Sequence, residues 1–591
     1  MFFSFQWADD VKTWIGDVLD EVEEQINEHC NSLDLPEINL LYANPLQRVI
    51  IGLNLQKMLQ YVQNDSTFDK PLRLLIQGTA GTGKTFVIKA ISYIARRLGR
   101  RNGSVLNLAP TGSAANLLPD GRTVHSTTPI VNKMKSKCAQ LSDYPMASKT
   151  LKKLRKIIGC TDSQDDHQLL CLNMDERSMF SNRLLAWCSQ RFCEATNNFD
   201  SCFGSIPIVN FFADLGQLGP IGAKDLHVKP GINSTPDELA GYAIYRNFEE
   251  CVLLNQTMRQ STSEKRLLER LLRIRSGSIT QQDWIDINSR YEGNLSVEEK
   301  MKFQNQQLTI TLHETWAEVN KENRKCLSQL NVPVAVIPSI GRGRHHKQGD
   351  KQLGQIVPCS ILAVGCKVIL TKNQGPLTQF GLNNGAVGFV IAILYPVNKS
   401  PPEMPDAVIV SFENYKGPAW LPEKPKWVPV VPCEGHCESR CCTRTGLPLM
   451  AGYSIPIAKS QGMTVGKNKP SENMRVCLQP AKIMETLNLG ISYTAFSRCE
   501  KEENWCLVEK LPLDRLTYIN EHPHMQERHN EEKRLNELSD TTIEHYSKFL
   551  DSAQYIQLLR QFDQVCNDGI STSICSESQE ACPCLSCTDH M

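Results

Sequence analysis

The chain has 591 residues, with 64 lysines and arginines against 64 aspartates and glutamates and a formal net charge of +0. That length calls for two to four domains, and the neutral balance excludes a global positive field as the basis of nucleic-acid binding, leaving local basic stripes. Twenty-three cysteines fall short of a disulfide scaffold, and with neither a secretory leader pattern nor an apolar run near the about 20 residues that cross a bilayer, a reducing, intracellular setting is expected.

Residues 72–91, LRLLIQGTAGTGKTFVIKAI, set a glycine-rich turn between two apolar patterns. Leu72, Leu74, Leu75 and Ile76 read as a buried parallel strand. Phe86, Val87, Ala90, Ile91 and Ile94 keep a helical period. Gly78, Gly83, Lys84 and Thr85 match G-x-x-x-x-G-K-[ST], in which the turn Gly78, Thr79, Ala80, Gly81, Thr82 and Gly83 directs backbone N–H groups at the phosphates of a nucleotide. Lys84 is expected to neutralise the β and γ phosphates and Thr85 to hold Mg²⁺, with the dipole of a helix opening at Lys84 favouring the same anion. A phosphate loop alone names no function, because kinases, GTPases, transporters and motors share it.

Further along, Lys149, Lys152, Lys153, Arg155 and Lys156 cluster on a short helix that reads equally as an electrostatic guide for a strand or as a solvated face. LLCLNMDERSMF then runs an apolar strand, Leu169 to Met174, into Asp175 and Glu176. There Asp175 is expected to hold Mg²⁺ through water and Glu176 to deprotonate the attacking water. In isolation a solvated acidic turn would look the same. A second buried strand, Ile206 to Phe212, ends in Asp214 and Gln217, and a glutamine in that place can sense the γ-phosphate. The order of these features on successive strands favours the functional reading.

Between Gln374 and Arg444, proline and glycine turns separate short strands, AVGFVIAILY and DAVIVSFENY. Tyr415, Trp420 and Trp427 there suit base stacking or, more commonly, a core. VPCEGHCESRCCTR gathers Cys433, His436, Cys437, Cys441 and Cys442 at ligand-like spacings, but without paired C-x-x-C modules, so structural zinc is the less favoured reading. MQERHNEEKRLNEL is a charged helix that packs on the rest of the chain or projects toward a partner. The tail, with Cys575, Cys582, Cys584, Cys587 and His590, is short and polar and reads as disorder rather than a finger.

In this order, from about Leu41 to about Lys510, the segments resemble the petite-integration-frequency (PIF) family of superfamily 1B DNA helicases. ANPLQRVIIG resembles the family's upstream glutamine element, in which Gln47 would read adenine. LAPTGSAANLL and GRTVHS resemble the segment that lies against single-stranded DNA, giving Thr111, Gly112, Ser113, His125 and Ser126 as positioning contacts, although Thr and Ser also cap helices in any protein. DERSM and FADLGQLGPI resemble the magnesium and sensor segments. LNQTMRQ and ISYTAFSRC give Arg259 and Arg498 as arginine fingers on the γ-phosphate, and YSIPIAKSQGMTV gives Lys459 and Ser460 as further DNA contacts. ITLHETWAEVNKEN and VGCKVILTKN…GLNNGAVGFV resemble elements of a second motor domain. Ala213, Gly219, Pro456 and Ala458 depart from the family pattern; the last two replace the threonine and histidine of T-I-H-K-S-Q-G.

The resemblance implies an α/β fold with two RecA-like P-loop NTPase motor domains. Residues 1–41 would be an N-terminal helical extension, 42–260 the first motor domain with a wedge insertion at about 127–168, 261–510 the second with an SH3-like β-barrel insertion at about 374–444, and 511–591 a helical extension with a Cys-rich tail. It further implies an ATP- and Mg²⁺-dependent helicase that moves 5′-to-3′ on single-stranded DNA and opens forks as a monomer. Repair, recombination or telomere maintenance would be its setting, in the nucleus or alternatively the mitochondrion. Because Pro456 and Ala458 fall in the segment that couples nucleotide to DNA, the alternative is a DNA-stimulated ATPase clamp or switch that does not unwind. A small-molecule P-loop kinase, indifferent to DNA, is the third reading.

Overall fold

Strands buried on both faces need near-continuous apolar sequence, and the runs noted above supply it. In the computed structural model, which describes residues 11, 14, 29, 32–66, 68, 70–128, 145–160, 168–256, 262–343, 353–437, 441–466, 471–479, 485 and 489–568, the first lobe is built on six strands, three of them on those runs. These are β1 (Leu72–Gly78), β2 (Val105–Ala109), β3 (Arg122–Thr123), β4 (Cys171–Met174), β5 (Ile208–Ala213) and β6 (Glu250–Leu254), in the order β3-β2-β4-β5-β1-β6. Every neighbouring pair is parallel. Helices Pro45–Val62 and Lys84–Gly99 cover one face, where Val49, Ile50, Leu53, Val87 and Ile91 join Leu74 and Ile76 in one core. On the other face, Leu75, Leu172 and Phe211 pack with Leu185 and Phe192 of helix Asn182–Thr196.

The second lobe opens with β7 (Thr309–His313). A block of antiparallel strands follows: β8 (Val334–Pro338), β9 (Ile340–Arg342), β10 (Cys359–Ala363), β11 (Lys367–Leu370), β12 (Val387–Leu394), β13 (Ala407–Ser411), β14 (Trp427–Val430), β15 (Cys433–His436), β16 (Thr443–Gly446) and β17 (Leu449–Ala451). The lobe then resumes with β18 (Ser454–Pro456), β19 (Asn473–Cys477) and β20 (Trp505–Leu507), which join β7 in a parallel sheet of order β18-β7-β19-β20. Helix Thr262–Ser276 buries Leu267, Leu271 and Ile274 against Ile310, Leu312 and Met474. Two parallel sheets, each covered by helices, are the two RecA-like lobes of an α/β protein.

The antiparallel block starts before and ends after residues 374–444. β8 alternates exposed and buried positions over five residues, a signal too short to separate from loop in the sequence. Within the block Tyr415 and Trp420 are buried in the core, and the Tyr415 hydroxyl donates to the Pro418 carbonyl at 2.8 Å. Helix Ser148–Ile158 buries Leu154, Ile157 and Ile158 and turns Lys149, Lys152, Lys153 and Lys156 outward. Residues 129–144 and 161–167 of the expected wedge lie outside the described residues, as do most of 1–31 and the Cys-rich tail.

The segment after Lys510 packs on both lobes. Leu511, Leu516, Ile519 and Met525 enter the second lobe's core. Helix Met525–His545 then runs along edge strand β6, where Ser539 Oγ and Thr542 Oγ1 accept the N–H groups of Leu253 and Cys251 at 3.2 and 3.1 Å. Donors that an edge strand would otherwise leave open are capped in this way. Helix Ser552–Asp568 brings Tyr555, Leu559 and Phe562 into the first lobe's core. Among the described residues no helix is long and apolar enough to cross a membrane.

Candidate functional site

Parallel strands that stop together leave a crevice at their carboxyl ends, and ligands of open α/β sheets bind there. β1 delivers Gly78, β4 delivers Asp175, whose N–H still donates to the Leu108 carbonyl at 2.8 Å, and β5 delivers Asp214. The loop after β1 turns back through Gly81 and Gly83, both left-handed at φ 84° and 85°, a conformation that glycine adopts without a Cβ penalty. Helix Lys84–Gly99 starts at Gly83 with no side-chain cap, so its first N–H groups and its dipole remain directed at the crevice. Lys84 Nζ donates to the carbonyls of Gly78 and Thr79 at 2.6 and 3.3 Å. The ammonium therefore lies across the mouth of its own loop. Thr85 is exposed. Gln47, at the third position of helix Pro45–Val62, is buried under the loop: its Oε1 accepts the Asn44 N–H at 3.0 Å and its Nε2 donates to the Thr82 carbonyl at 3.3 Å. The first bond closes the helix's own capping box, and the second ties the phosphate loop to that helix.

Asp175 and Glu176 face the same ammonium. Burial pushes the Asp175 carboxyl up, with Lys84 drawing it back. Burial and the charge of Asp175 push Glu176 up as well, and Arg498 and Lys84 offset part of this. Glu176 sits at φ 54°, ψ 49°, a region that costs a non-glycine residue about 1 to 2 kcal/mol. A carboxyl whose pKa is raised toward working pH is suited to take a proton from water. Glu176→Gln should therefore retain ATP binding and lose turnover. With Glu176 present, turnover should rise with pH along an acid limb displaced above the ~4.3 of an ordinary glutamate; normal turnover in the glutamine variant would remove this residue as the base.

The second lobe closes on the sensor loop after β5. Leu218 N–H donates to Thr494 Oγ1 at 3.0 Å, Gln461 Nε2 donates to the Leu218 carbonyl at 3.0 Å, and the Leu218 side chain sits in the second lobe's core. A Cβ on Gly490 would clash with the Gly216 carbonyl. The lobes thus meet directly beside Asp214 and Gln217. Gln217 is buried, and its Oε1 accepts no hydrogen bond among the described residues. Arg498 is 5% exposed. Its guanidinium donates to the carbonyls of Thr494, Ser460 and Met463 at 3.0, 3.4 and 3.3 Å and to Ser497 Oγ at 2.8 Å, and its charge reaches Glu176. Arg259 lies outside the described residues.

Two residues at this seam escaped the sequence reading. Arg275, on helix Thr262–Ser276 of the second lobe, donates through Nε to Asp214 Oδ1 at 3.2 Å, and Tyr493 donates its hydroxyl to Asp214 Oδ2 at 2.5 Å. Burial alone would push the Asp214 carboxyl up, but Arg275, Lys84 and the Tyr493 hydroxyl reverse this and hold it below the usual carboxylate range. In sequence Arg275 is one basic residue in the last turn of an amphipathic helix, indistinguishable from a surface charge. Tyr493 lies in ISYTAFSRC five positions before Arg498, and that proximity is the one signal available.

The residues assigned to DNA are placed less uniformly. Thr111 caps the short helix Gly112–Ala115 by accepting the Ala114 N–H at 3.2 Å. Gly112 is covered by Asn383, whose Nδ2 donates to its carbonyl at 3.1 Å, and Ser113 Oγ donates to the Gln461 carbonyl at 3.2 Å. This segment forms part of the contact between lobes. His125 and Ser126 are exposed. Lys459 lies over the Trp316 ring, 5.0 Å from its centroid, with Nζ 3.4 Å from Asn384 Oδ1, and Ser460 is buried with Oγ donating to the Ile457 carbonyl at 2.7 Å.

With this geometry in place, residues 52–284 match the family model described as PIF1-like helicase. Three solved structures share the fold. A Pif1 helicase from Candida albicans superposes with TM-score 0.57 at 20% identity, covering 81% of this chain and 98% of that one. A Pif1 helicase studied at forked double-stranded DNA gives 0.55 at 18%, covering 81% and 97%. The Bacteroides Pif1 in complex with ADP-AlF3 and single-stranded DNA gives 0.53 at 18%, covering 78% and 93%. No curated protein sequence matches the chain.

Proposed function

We propose, from the premise that residues 52–284 form a PIF1-like helicase region, that this chain is an ATP-driven DNA helicase whose nucleotide lies at the seam between its two lobes. One observation carries the reading. Lys84, Asp175, Glu176 and Asp214 from the first lobe converge on a crevice that Arg498, Tyr493 and Arg275 of the second lobe also reach. The uncapped start of helix Lys84–Gly99 and Lys84 would bind the phosphates. Glu176 would take the proton of the attacking water, and Gln217 Oε1, which has no donor among the described residues, would orient that water. The Thr85 hydroxyl and the Asp175 carboxylate would supply oxygen donors of the kind Mg²⁺ takes, and the ion when bound would neutralise phosphate charge. Arg498 would pair with the γ-phosphate only while the lobes are closed, so cleavage weakens the seam and lets the lobes shift along a strand. Movement 5′-to-3′ rests on the family resemblance.

A clamp or switch that hydrolyses ATP on DNA without unwinding is the second reading. It is favoured by Pro456 and Ala458 and by the placement of Lys459 on Trp316 and of Ser460 in the interior. Steady-state ATP turnover with and without single-stranded DNA, followed by strand displacement on forks of both polarities, tests the two. Turnover stimulated by DNA together with displacement on a fork with a 5′ tail is expected. Stimulation with no displacement at either polarity selects the clamp, and turnover indifferent to DNA rejects both.

A further inference from the structure

On either side of residues 438–440, which lie outside the described residues, the cysteines that the motor leaves unused come close together. β15 and β16 pair from Cys433↔Gly446 to His436↔Thr443, and β9 adds alongside β16. Beyond the last pair, the Cys437 N–H donates to the Cys442 carbonyl at 2.9 Å and the Cys442 N–H donates to Cys437 Sγ at 3.2 Å. The sulfurs of Cys437, Cys441 and Cys442 all lie within 4.8 Å of one another, with Cys437 to Cys441 at 3.6 Å and Cys441 to Cys442 at 3.4 Å.

These separations discriminate between chemistries. A disulfide requires about 2.05 Å between sulfurs. Thiolates arranged tetrahedrally at about 2.3 Å from a zinc ion stand roughly 3.8 Å apart, close to the spacing found. An N–H donated to a sulfur favours the thiolate over the thiol, which is the form a metal needs. Cys437 and Cys442 are buried and Cys441 is exposed, so the cluster borders solvent at Cys441. The apolar cluster there comprises Leu353 with the two buried cysteines. Further from the hairpin end, buried Ile356 packs on Gly435 and Gly446 and Arg444 donates to the Ile356 carbonyl at 3.0 Å, so a metal would add its hold at the end itself.

We propose that Cys437, Cys441 and Cys442 bind Zn²⁺ as three thiolates, with the fourth position on the solvent side taken by water or a further ligand. Three sulfur donors select a soft cation over Mg²⁺ or Ca²⁺, which separates this site from the oxygen set at Thr85 and Asp175. Bound there, the ion would fix the end of the β15–β16 hairpin.

The test uses the full-length reduced chain and Co²⁺ as a spectroscopic stand-in for zinc. One equivalent of Co²⁺ should bind with thiolate-to-cobalt charge-transfer absorption in the near ultraviolet, and Zn²⁺ should displace it. Cys437→Ser and Cys442→Ser should each abolish that absorption. Cys441→Ser, at an exposed position that does not disturb packing, should weaken Co²⁺ binding by about tenfold or more. A variant with Cys582, Cys584 and Cys587 all changed to serine should keep the band. No thiolate absorption in the parent chain, a band that survives Cys437→Ser or Cys442→Ser, unchanged Co²⁺ affinity in Cys441→Ser, or a band lost with the tail cysteines would each overturn the assignment.

Discussion

Lys84→Ala should lower ATP turnover by about 10²- to 10³-fold or more, the scale on which removal of one preorganised charge-stabilising donor acts, read as phosphate release at saturating ATP. Lys84 is the cation shared by the site's three acidic groups. It draws down the carboxyls of Asp175, Glu176 and Asp214, and its Nζ is held across the phosphate loop by the Gly78 and Thr79 carbonyls. Alanine removes the charge that would meet the β and γ phosphates and leaves three carboxylates facing them, so binding and turnover fall together. The fold should survive, because the Lys84 side chain reaches the crevice and the helix behind it is anchored by Val87, Ile88 and Ile91. Near-normal phosphate release from a folded Lys84→Ala chain would rule out this crevice as the site of hydrolysis.

Arg498→Ala should lower turnover by about 10³-fold or more, the range in which arginine fingers act, while ATP affinity changes less than about tenfold. The asymmetry follows from position. Arg498 belongs to the second lobe, touches that lobe's own carbonyls at Thr494, Ser460 and Met463, and reaches Glu176 electrostatically across the seam. Its contribution therefore falls on the closed, reacting arrangement and much less on the docking of the nucleotide. Arg498→Lys should not rescue turnover, since an ammonium cannot reproduce the planar fork. The melting temperature separates this effect from loosening of the Thr494–Met463 region: a drop in stability with proportional loss of affinity would mark Arg498 as a structural residue, and an unchanged rate would take it out of the site.

The first lobe was the most legible part of the chain. Three of its strands, β1, β4 and β5, are buried along their length and read as apolar runs, and each leads into a residue at the crevice: Gly78, Asp175, Asp214. The phosphate loop is legible for a related reason. Glycines at φ 84° and 85° followed by a lysine at a helix start satisfy a local requirement, and local requirements leave local patterns. The antiparallel block extends past residues 374–444 on both sides through short strands, and two of its pairings, β9 with β16 and β11 with β17, join segments far apart in the chain, which leaves no local pattern. The DNA-facing assignments came from the family resemblance, and the packing sorts them into exposed residues, His125 and Ser126, and residues tied to the lobe contact, Gly112 and Ser113.

By itself the sequence determined that this protein holds a phosphate loop on a parallel sheet, with two acidic residues and a glutamine at the ends of neighbouring strands, because strand burial and turn geometry constrain residues that are close in the chain. Only the tertiary structure decided that Arg275 and Tyr493 grip Asp214, that Gly490 presses on Gly216, that the last helices cap β6 and return to the first lobe, and that three cysteine sulfurs come close together. Each of these depends on atoms brought together from distant segments, or on the close approach of nearby ones. A single arginine, tyrosine or cysteine carries no mark of its partner until packing supplies one.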